Sequence, residues 1–267
     1  MRSTSPLFAA PRRRFGLRVS SRQQSLLGVG VFLALLPFVF RMDPEKFRVF
    51  TEPAIWRFIG EGVVIVLGVS IAAIVLSLPL AVALALGRLS AFRVAQVPSV
   101  GLIEGVRALP LLLLIFYVFL NVPREVPTLV SRETLALTLA LLVYTAVINA
   151  ETLRAGILAL DRGQMEAARS LGLNYWGAMR LVILPQTFRN TRPPLISQFA
   201  TLVKDTSLGS VISVIELTQR GVIIYQGFRN PMETLYVIGL VYFIINFVLE
   251  QASLSLQAST GSRSTAD

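Results

Sequence analysis

Six stretches of this chain, at approximately 24–41, 58–87, 98–120, 133–156, 193–215 and 233–254, are apolar over about the 20 residues that a helix needs to cross a bilayer. Inside hydrocarbon no water is available to the peptide groups, so a spanning segment must satisfy its own N–H and C=O groups, as a helix does. The prediction is an all-α polytopic membrane protein with six transmembrane helices. Composition agrees, since 54% of the residues are hydrophobic and only 15% are charged, against roughly a quarter in a soluble domain. The second run is longer than a simple crossing needs and is expected to tilt or to extend past Pro79. Pro79 and Pro110 lie inside runs, where a bend is tolerated if neighbours re-satisfy the freed backbone groups.

The 25 Lys and Arg against 15 Asp and Glu leave a net charge of +10. Such a balance would suit nucleic acid, but its placement along the chain assigns it to membrane orientation instead, and no nucleic-acid partner is expected. With the N-terminus inside, only Arg41, Lys46, Arg48, Arg57, Arg124, Arg132, Arg220 and Arg229 fall on the outer side, and Arg107 and Lys204 fall within runs. The remaining basic residues are cytosolic, as Lys and Arg flanking spans usually are, so both termini are placed in the cytosol. Residues 1–23 form a basic cytosolic arm (Arg12, Arg13, Arg14, Arg18, Arg22) without the pattern of a cleaved signal. Residues 24–54 read as an N-terminal helix with an external loop, and the Ser/Thr-rich residues 256–267 as a disordered tail. Cysteine and histidine are both absent, which removes disulfides, thiolate metal sites and the commonest general base and metal ligand. No catalytic or metal-binding residue is assigned.

Between the fourth and fifth runs lies a polar, Arg-bearing stretch, Asp161 to Pro185, that reads as two short helices rather than a linker. Asp161 is placed to cap the first helix, with Gln164 three residues on completing a capping box. Gly172 suits the left-handed residue that ends that helix, Asn174 caps the second, and Pro185 marks where the second stops or bends. Ala167 and Ala168 beside Glu166 permit another surface to approach closely, while Met165, Leu171, Met179 and Val182 can pack the two helices or face a partner.

This stretch resembles a known signature. Glu166-Ala167-Ala168, then Gly172, then Val182-Ile183-Leu184-Pro185 is similar to the E-A-A-x3-G-x9-I-x-L-P pattern of the membrane subunits of bacterial ATP-binding-cassette importers, with Val182 where the pattern has Ile. Four further segments sharpen the resemblance to the polar amino acid branch over roughly residues 55–255. They are Glu61 to Val64 with Leu84 to Ser90, Arg107 to Pro110, Ala146 to Glu151, and Lys204-Asp205-Thr206-Ser207-Leu208 with Val211 to Ser213, Glu216 and Leu217. Ala108 and Leu109 depart from the usual R-G-[ST]-P. The resemblance implies a five-helix importer core, with the N-terminal helix as an addition. It implies a bacterial cytoplasmic (inner) membrane location and a complex of two membrane subunits, two ATPase subunits and an external solute-binding protein. The 161–185 pair is then the coupling helix, with Glu166, Ala167, Ala168, Gly172, Leu184 and Pro185 docking on the ATPase. ATP and Mg belong to that partner, and no cofactor is expected on this chain, which has no G-x-x-x-x-G-K-[ST] phosphate loop. Which amino acid is carried, and whether the two membrane subunits are identical, stay open.

Lys204 and Asp205 are placed mid-span, where an unpaired charge costs about 2.5–3.5 kcal/mol. Neighbours on a helix point about 100° apart, so they do not simply pair with each other. They read either as a structural charge pair to other helices or as lining of a solute path. Thr206 and Ser207 bridge helices or meet solute. Arg107 and Glu104, three apart, form an ion pair, or else Arg107 receives a substrate carboxylate. Glu151 and Arg154 repeat that spacing as an interfacial pair, and Trp56 and Trp176 read as boundary or docking aromatics. The function expected is the permease subunit of an ATP-driven polar amino acid importer. The rival readings are a secondary transporter or channel, which would need a relay of intramembrane carboxylates, and a membrane enzyme, which the missing His and Cys disfavour.

Overall fold

The computed structural model describes residues 39–125 and 130–261, together with Gly30, Val31, Leu35 and Pro37, with side chains as far as Gln251. The basic arm 1–23 and the last residues of the expected tail lie outside the described residues, as does most of the expected first span. The chain divides into two units, Met1–Asp43 and Pro44–Asp267. In the first, the described residues from Gly30 to Val39 are helical, and the Met42 N–H donates to the Pro37 carbonyl at 3.0 Å.

The second unit opens with a 3-10 helix, Pro44–Thr51. There follow α1 (Pro53–Leu89), α2 (Arg93–Ala108), α3 (Leu111–Asn121), α4 (Arg132–Leu158), α5 (Arg162–Ser170) and α6 (Tyr175–Ala178). A π turn, Met179–Ile183, leads into α7 (Leu184–Asp205), a second 3-10 helix (Thr206–Ile212), α8 (Leu217–Phe228) and α9 (Pro231–Gly261). No strand occurs among the described residues. Among the described residues three helices, Pro53–Leu89, Arg132–Leu158 and Pro231–Gln251, are long and apolar enough to cross a membrane, and the number rises to five if each of two bent pairs makes one span. The predicted helix at 24–41 lies mostly outside the described residues.

The centre of the bundle is α4 against α1. Ser131 caps α4 by accepting from the Thr134 N–H at 3.2 Å. Ala136, Leu137, Ala140, Leu141, Val147, Ala150 and Leu153 of this helix are fully buried. On α1 the buried positions Val66, Val69, Ala73, Ser77, Ala81, Leu84 and Ala85 recur at three- and four-residue intervals, one stripe along a helix of 37 residues. Pro53 occupies the first turn, where its missing N–H is harmless. Pro79 is accommodated inside α1 without a break. Close crossings are set by small residues. A Cβ on Gly62 would stand 2.9 Å from Leu217 Cα, and one on Gly209 2.5 Å from Leu137 Cδ2.

Several expectations change. The run 98–120 is two helices bent by 111° at Leu109 and Pro110. Pro110 has no N–H to continue the ladder, and it forces Leu109 into an extended backbone with ψ 136°. The run 193–215 is not one helix either. Helix α7 starts earlier, at Leu184, and ends at Asp205. The chain then tightens into a 3-10 turn, takes a left-handed residue at Ser213 with φ 66°, and restarts as α8, the two parts bent by 51°. Pro185 does not stop the second loop helix. The backbone stays helical through it by way of the π turn, in which the Leu184 N–H reaches back to the Met179 carbonyl. The tail expected from residue 256 begins inside the backbone of α9, which runs to Gly261.

Candidate functional site

The loop from Asp161 to Pro185 is built from its caps. The Asp161 carboxylate accepts from the Gly163 N–H at 2.6 Å, fixing the start of α5. The end of α5 is a Schellman turn. Gly172 takes φ 84°, its N–H donates to the Arg169 carbonyl at 2.9 Å, and the Leu173 N–H donates to the Ala168 carbonyl at 3.3 Å. Asn174 then caps α6 by accepting from Gly177 N–H at 2.8 Å. The expected capping box does not form. Gln164 instead accepts from the Gln186 side chain at 3.1 Å, which ties α5 to the first turn of α7. That tie and the π turn join the hairpin and α7 into one folded element.

Of the residues expected to dock a partner, Glu166, Ala167, Gly172 and Pro185 are exposed, Leu184 is half-buried and Ala168 is buried. Ala168 faces inward. Large apolar side chains meet solvent around them: Leu171 is 84% exposed, Trp176 65% and Leu181 64%, with Tyr175 edge-on to Trp176 at 5.5 Å between ring centres. Met179 is buried, whereas Leu171 points out.

Just above this loop a charge network crosses three helices. Arg88 at the end of α1 holds Glu104 of α2 through Nη2 at 2.9 Å and Glu151 of α4 through Nη1 at 2.9 Å. Glu151 also meets Arg154 at 3.0 Å, as the three-residue spacing predicts. Glu104 therefore pairs with Arg88, not with Arg107. Arg107 is exposed in the last turn of α2 and has no ion-pair partner among the described residues. The i,i+3 spacing puts Arg107 within reach of Glu104, but Arg88 comes to the same carboxylate from a neighbouring helix, which sequence spacing does not reveal.

The other candidate solute-path residues lie at the broken span. Lys204 is exposed and Asp205 half-buried at the end of α7, with no ion pair between them. Thr206 is buried and donates to the Val203 carbonyl at 2.7 Å, and the Ser207 carbonyl accepts from Ser210 Oγ at 2.7 Å. These four sit where helix gives way to 3-10 turn, not in the middle of a continuous helix. Arg107 is not brought to them by any hydrogen bond or ion pair among the described residues.

Beyond the break stand two charged residues, Glu216, to which the sequence assigns no role, and Arg220, expected in an external loop. Glu216, fully buried, caps α8 by accepting from Thr218 N–H at 2.8 Å and Gln219 N–H at 3.0 Å, and it also accepts from the Tyr242 hydroxyl at 2.9 Å. Arg220, expected in an external loop, is buried in α8. It donates to Glu61 at 2.8 Å, to the Phe58 carbonyl at 2.9 Å and to the Ile215 carbonyl at 3.2 Å, and it lies over the Phe58 ring. The signal for Glu216 was in the sequence, an acid just before an apolar helix. The signal for Arg220 was not, because its partners lie far away on α1.

A bundle of apolar helices broken at Pro110 and at residues 206–216, with a doubly capped polar hairpin continuous with α7, has the make-up of a membrane-embedded component. Residues 77–256 match the family of inner membrane components of binding-protein-dependent transport systems, and the chain belongs to that family. It is 32% identical over 94% of its length to the glutamate/glutamine/aspartate/asparagine transport system permease protein BztC of Rhodobacter capsulatus, of whose length it spans 59%. It is 32% identical to the glutamate/aspartate import permease protein GltK of Escherichia coli, with 77% of this chain and 92% of that protein aligned. Among solved structures it resembles an amino acid ABC transporter with histidines at 27% identity and a TM-score of 0.68, covering 76% of this chain and 94% of the other.

Proposed function

We propose that this chain is the permease subunit of an ATP-driven importer that moves polar amino acids across the cytoplasmic membrane, working with a separate ATPase through the Asp161–Pro185 helix pair. The observation that carries this reading is the hairpin itself. Its ends are fixed by Asp161, Gly172 and Asn174, it exposes Leu171, Trp176 and Leu181, and its π turn runs without a break into α7. A movement imposed on the hairpin by a closing ATPase dimer has a rigid route along α7 to Lys204 and Asp205. Glu166, Ala167, Ala168, Gly172, Leu184 and Pro185 form the docking element, and Lys204, Asp205, Thr206, Ser207 and Arg107 are the path residues. ATP and Mg are held by the partner. The complex further includes a second permease subunit, an external solute-binding protein and the surrounding bilayer, with both termini of this chain in the cytosol. The names of BztC and GltK support acidic and amide amino acids as the solutes.

A carboxylate relay, which a secondary transporter would need, has less support. Glu216 is committed to a helix cap, and Glu104 and Glu151 are committed to Arg88. The test is to express the chain with candidate ATPase and solute-binding proteins from the same genome, and to measure co-purification and ATP-dependent uptake of labelled L-glutamate and L-glutamine. Glu166→Lys and Gly172→Asp are expected to abolish both co-purification and uptake. Full retention of both would sink the docking reading.

A further inference from the structure

The polar side chains inside the bundle nearly all bond back to their own helix. Ser70 donates to the Val66 carbonyl, Thr138 to Thr134, Thr152 to Ile148, Thr187 to Ile183 and Thr191 to Thr187, at 2.7–3.2 Å. That habit lets a hydroxyl sit in an apolar interior without a partner on another helix. Two residues of α4 break it. Thr145 and Asn149 are fully buried, yet Thr145 Oγ1 and both amide atoms of Asn149 find no hydrogen-bond partner among the described residues.

Their direction follows from helix geometry. Gly156 marks the face of α4 that meets α7, because a Cβ there would lie 2.5 Å from Thr191 Cγ2 and 3.0 Å from Thr187 Cγ2. Asn149 and Thr145 precede Gly156 by seven and eleven residues, so both lie within ~20° of that same face. The two helices run antiparallel, since Leu137 near the other end of α4 meets Gly209 just past the end of α7. On α7 the stripe of Thr187 and Thr191 continues, seven and then four residues on, to Gln198 and the fully buried Leu202. Gln198 falls opposite Thr145 and Asn149. It is half-buried and makes no hydrogen bond among the described residues.

The seam between α4 and α7 therefore carries uncommitted donors and acceptors on both walls, in an interior where every other threonine and serine of these helices that is fully buried is satisfied. A polar group in such a place is costly to keep unless another arrangement of the protein uses it. Helix α7 is also the element continuous with the cytosolic hairpin, and so the one that a partner at the hairpin would move. Resting on the importer reading above, we propose that the α4–α7 seam parts during the transport cycle, and that Thr145 and Asn149 then become a water-lined wall of the solute path. They extend that path along the bundle from Asp205 towards the hairpin.

The absence of native cysteine makes a direct test possible. Thr145→Cys and Asn149→Cys, each introduced singly into the full complex in vesicles, are treated with a charged, water-soluble methanethiosulfonate reagent, once without nucleotide and once trapped with ATP and vanadate. The cysteine thiolate attacks the reagent's sulfur, forming a mixed disulfide and releasing methanesulfinate, and that thiolate forms only where water reaches it. Both positions are expected to react at least tenfold faster in one state than in the other. Val147→Cys and Ala140→Cys, fully buried on other faces of α4, stay silent in both. No reaction at Thr145→Cys and Asn149→Cys in either state overturns the proposal, and so does reaction equal to that of the controls. Asn149→Leu supplies a second readout: ATPase co-purification is retained while uptake falls at least tenfold, and unchanged uptake counts against the seam. Uptake by the unsubstituted complex is followed in the same vesicles. If that uptake ignores ATP, the importer reading fails. If it depends on ATP while Asn149→Cys and Thr145→Cys stay silent, only the seam fails.

Discussion

Leu171→Asp separates folding from docking, because this side chain stands 84% exposed at the turn between α5 and α6. The described residues leave it almost uncovered, so the substitution is expected to change stability by no more than ~0.5 kcal/mol, the usual range for a surface site. If an ATPase groove covers it, burial of a leucine contributes about 1.5–3 kcal/mol to association. At 1.4 kcal/mol per factor of ten, its loss weakens binding roughly 10- to 150-fold, before any cost of desolvating the new carboxylate. Titration of purified ATPase subunit against detergent-solubilised permease measures the affinity, and thermal unfolding of the permease alone measures the fold. The expected outcome is an affinity loss of that size, parallel loss of ATP-driven uptake and an unchanged unfolding temperature. Unchanged affinity would refute the argument that this exposed crest is a docking surface. A large fall in unfolding temperature would refute the premise that Leu171 is free of intramolecular packing.

The remaining expectations concern the bundle. Gly62→Ala puts a methyl 2.9 Å from Leu217 Cα and 3.0 Å from Leu217 N; α8 must move to admit it, so a destabilisation of about 1–3 kcal/mol is expected in a denaturation series. Arg88→Ala strips the partner shared by Glu104 and Glu151 and is expected to lower the unfolding temperature more than Arg154→Ala, which leaves Glu151 its bond to Arg88; equal effects would count against Arg88 as the hub. Glu216→Ala removes two cap hydrogen bonds and the acceptor of the Tyr242 hydroxyl, with an expected cost of at least the ~1 kcal/mol typical of a helix cap, whereas Glu216→Gln, which keeps an acceptor oxygen, is expected to cost less.

What the sequence determined by itself were the features written locally. Apolar runs separated by polar loops specify membrane helices because lipid offers the backbone no alternative partner. The hairpin was equally legible: Asp161, Gly172 and Asn174 bond to backbone groups two or three residues away, and the Glu151–Arg154 pair needs only one turn of helix. Pro79 and Pro110 marked two places where a bend is tolerated, and only the structure decided between them: the helix runs on through Pro79 and bends by 111° at Pro110. The tertiary structure alone decided where a residue had a choice of partners. Glu104 turned from Arg107 to Arg88, Gln164 from its own helix end to Gln186, and Arg220 from solvent to Glu61 and the Phe58 carbonyl. It also decided that the fifth span breaks after Asp205, and that the Glu216 cap of α8 takes a hydroxyl donor from Tyr242 on α9. Hydrophobic pattern and caps are short-range and survive in one dimension, whereas the pairing of charges and amides is set by which helices end up side by side.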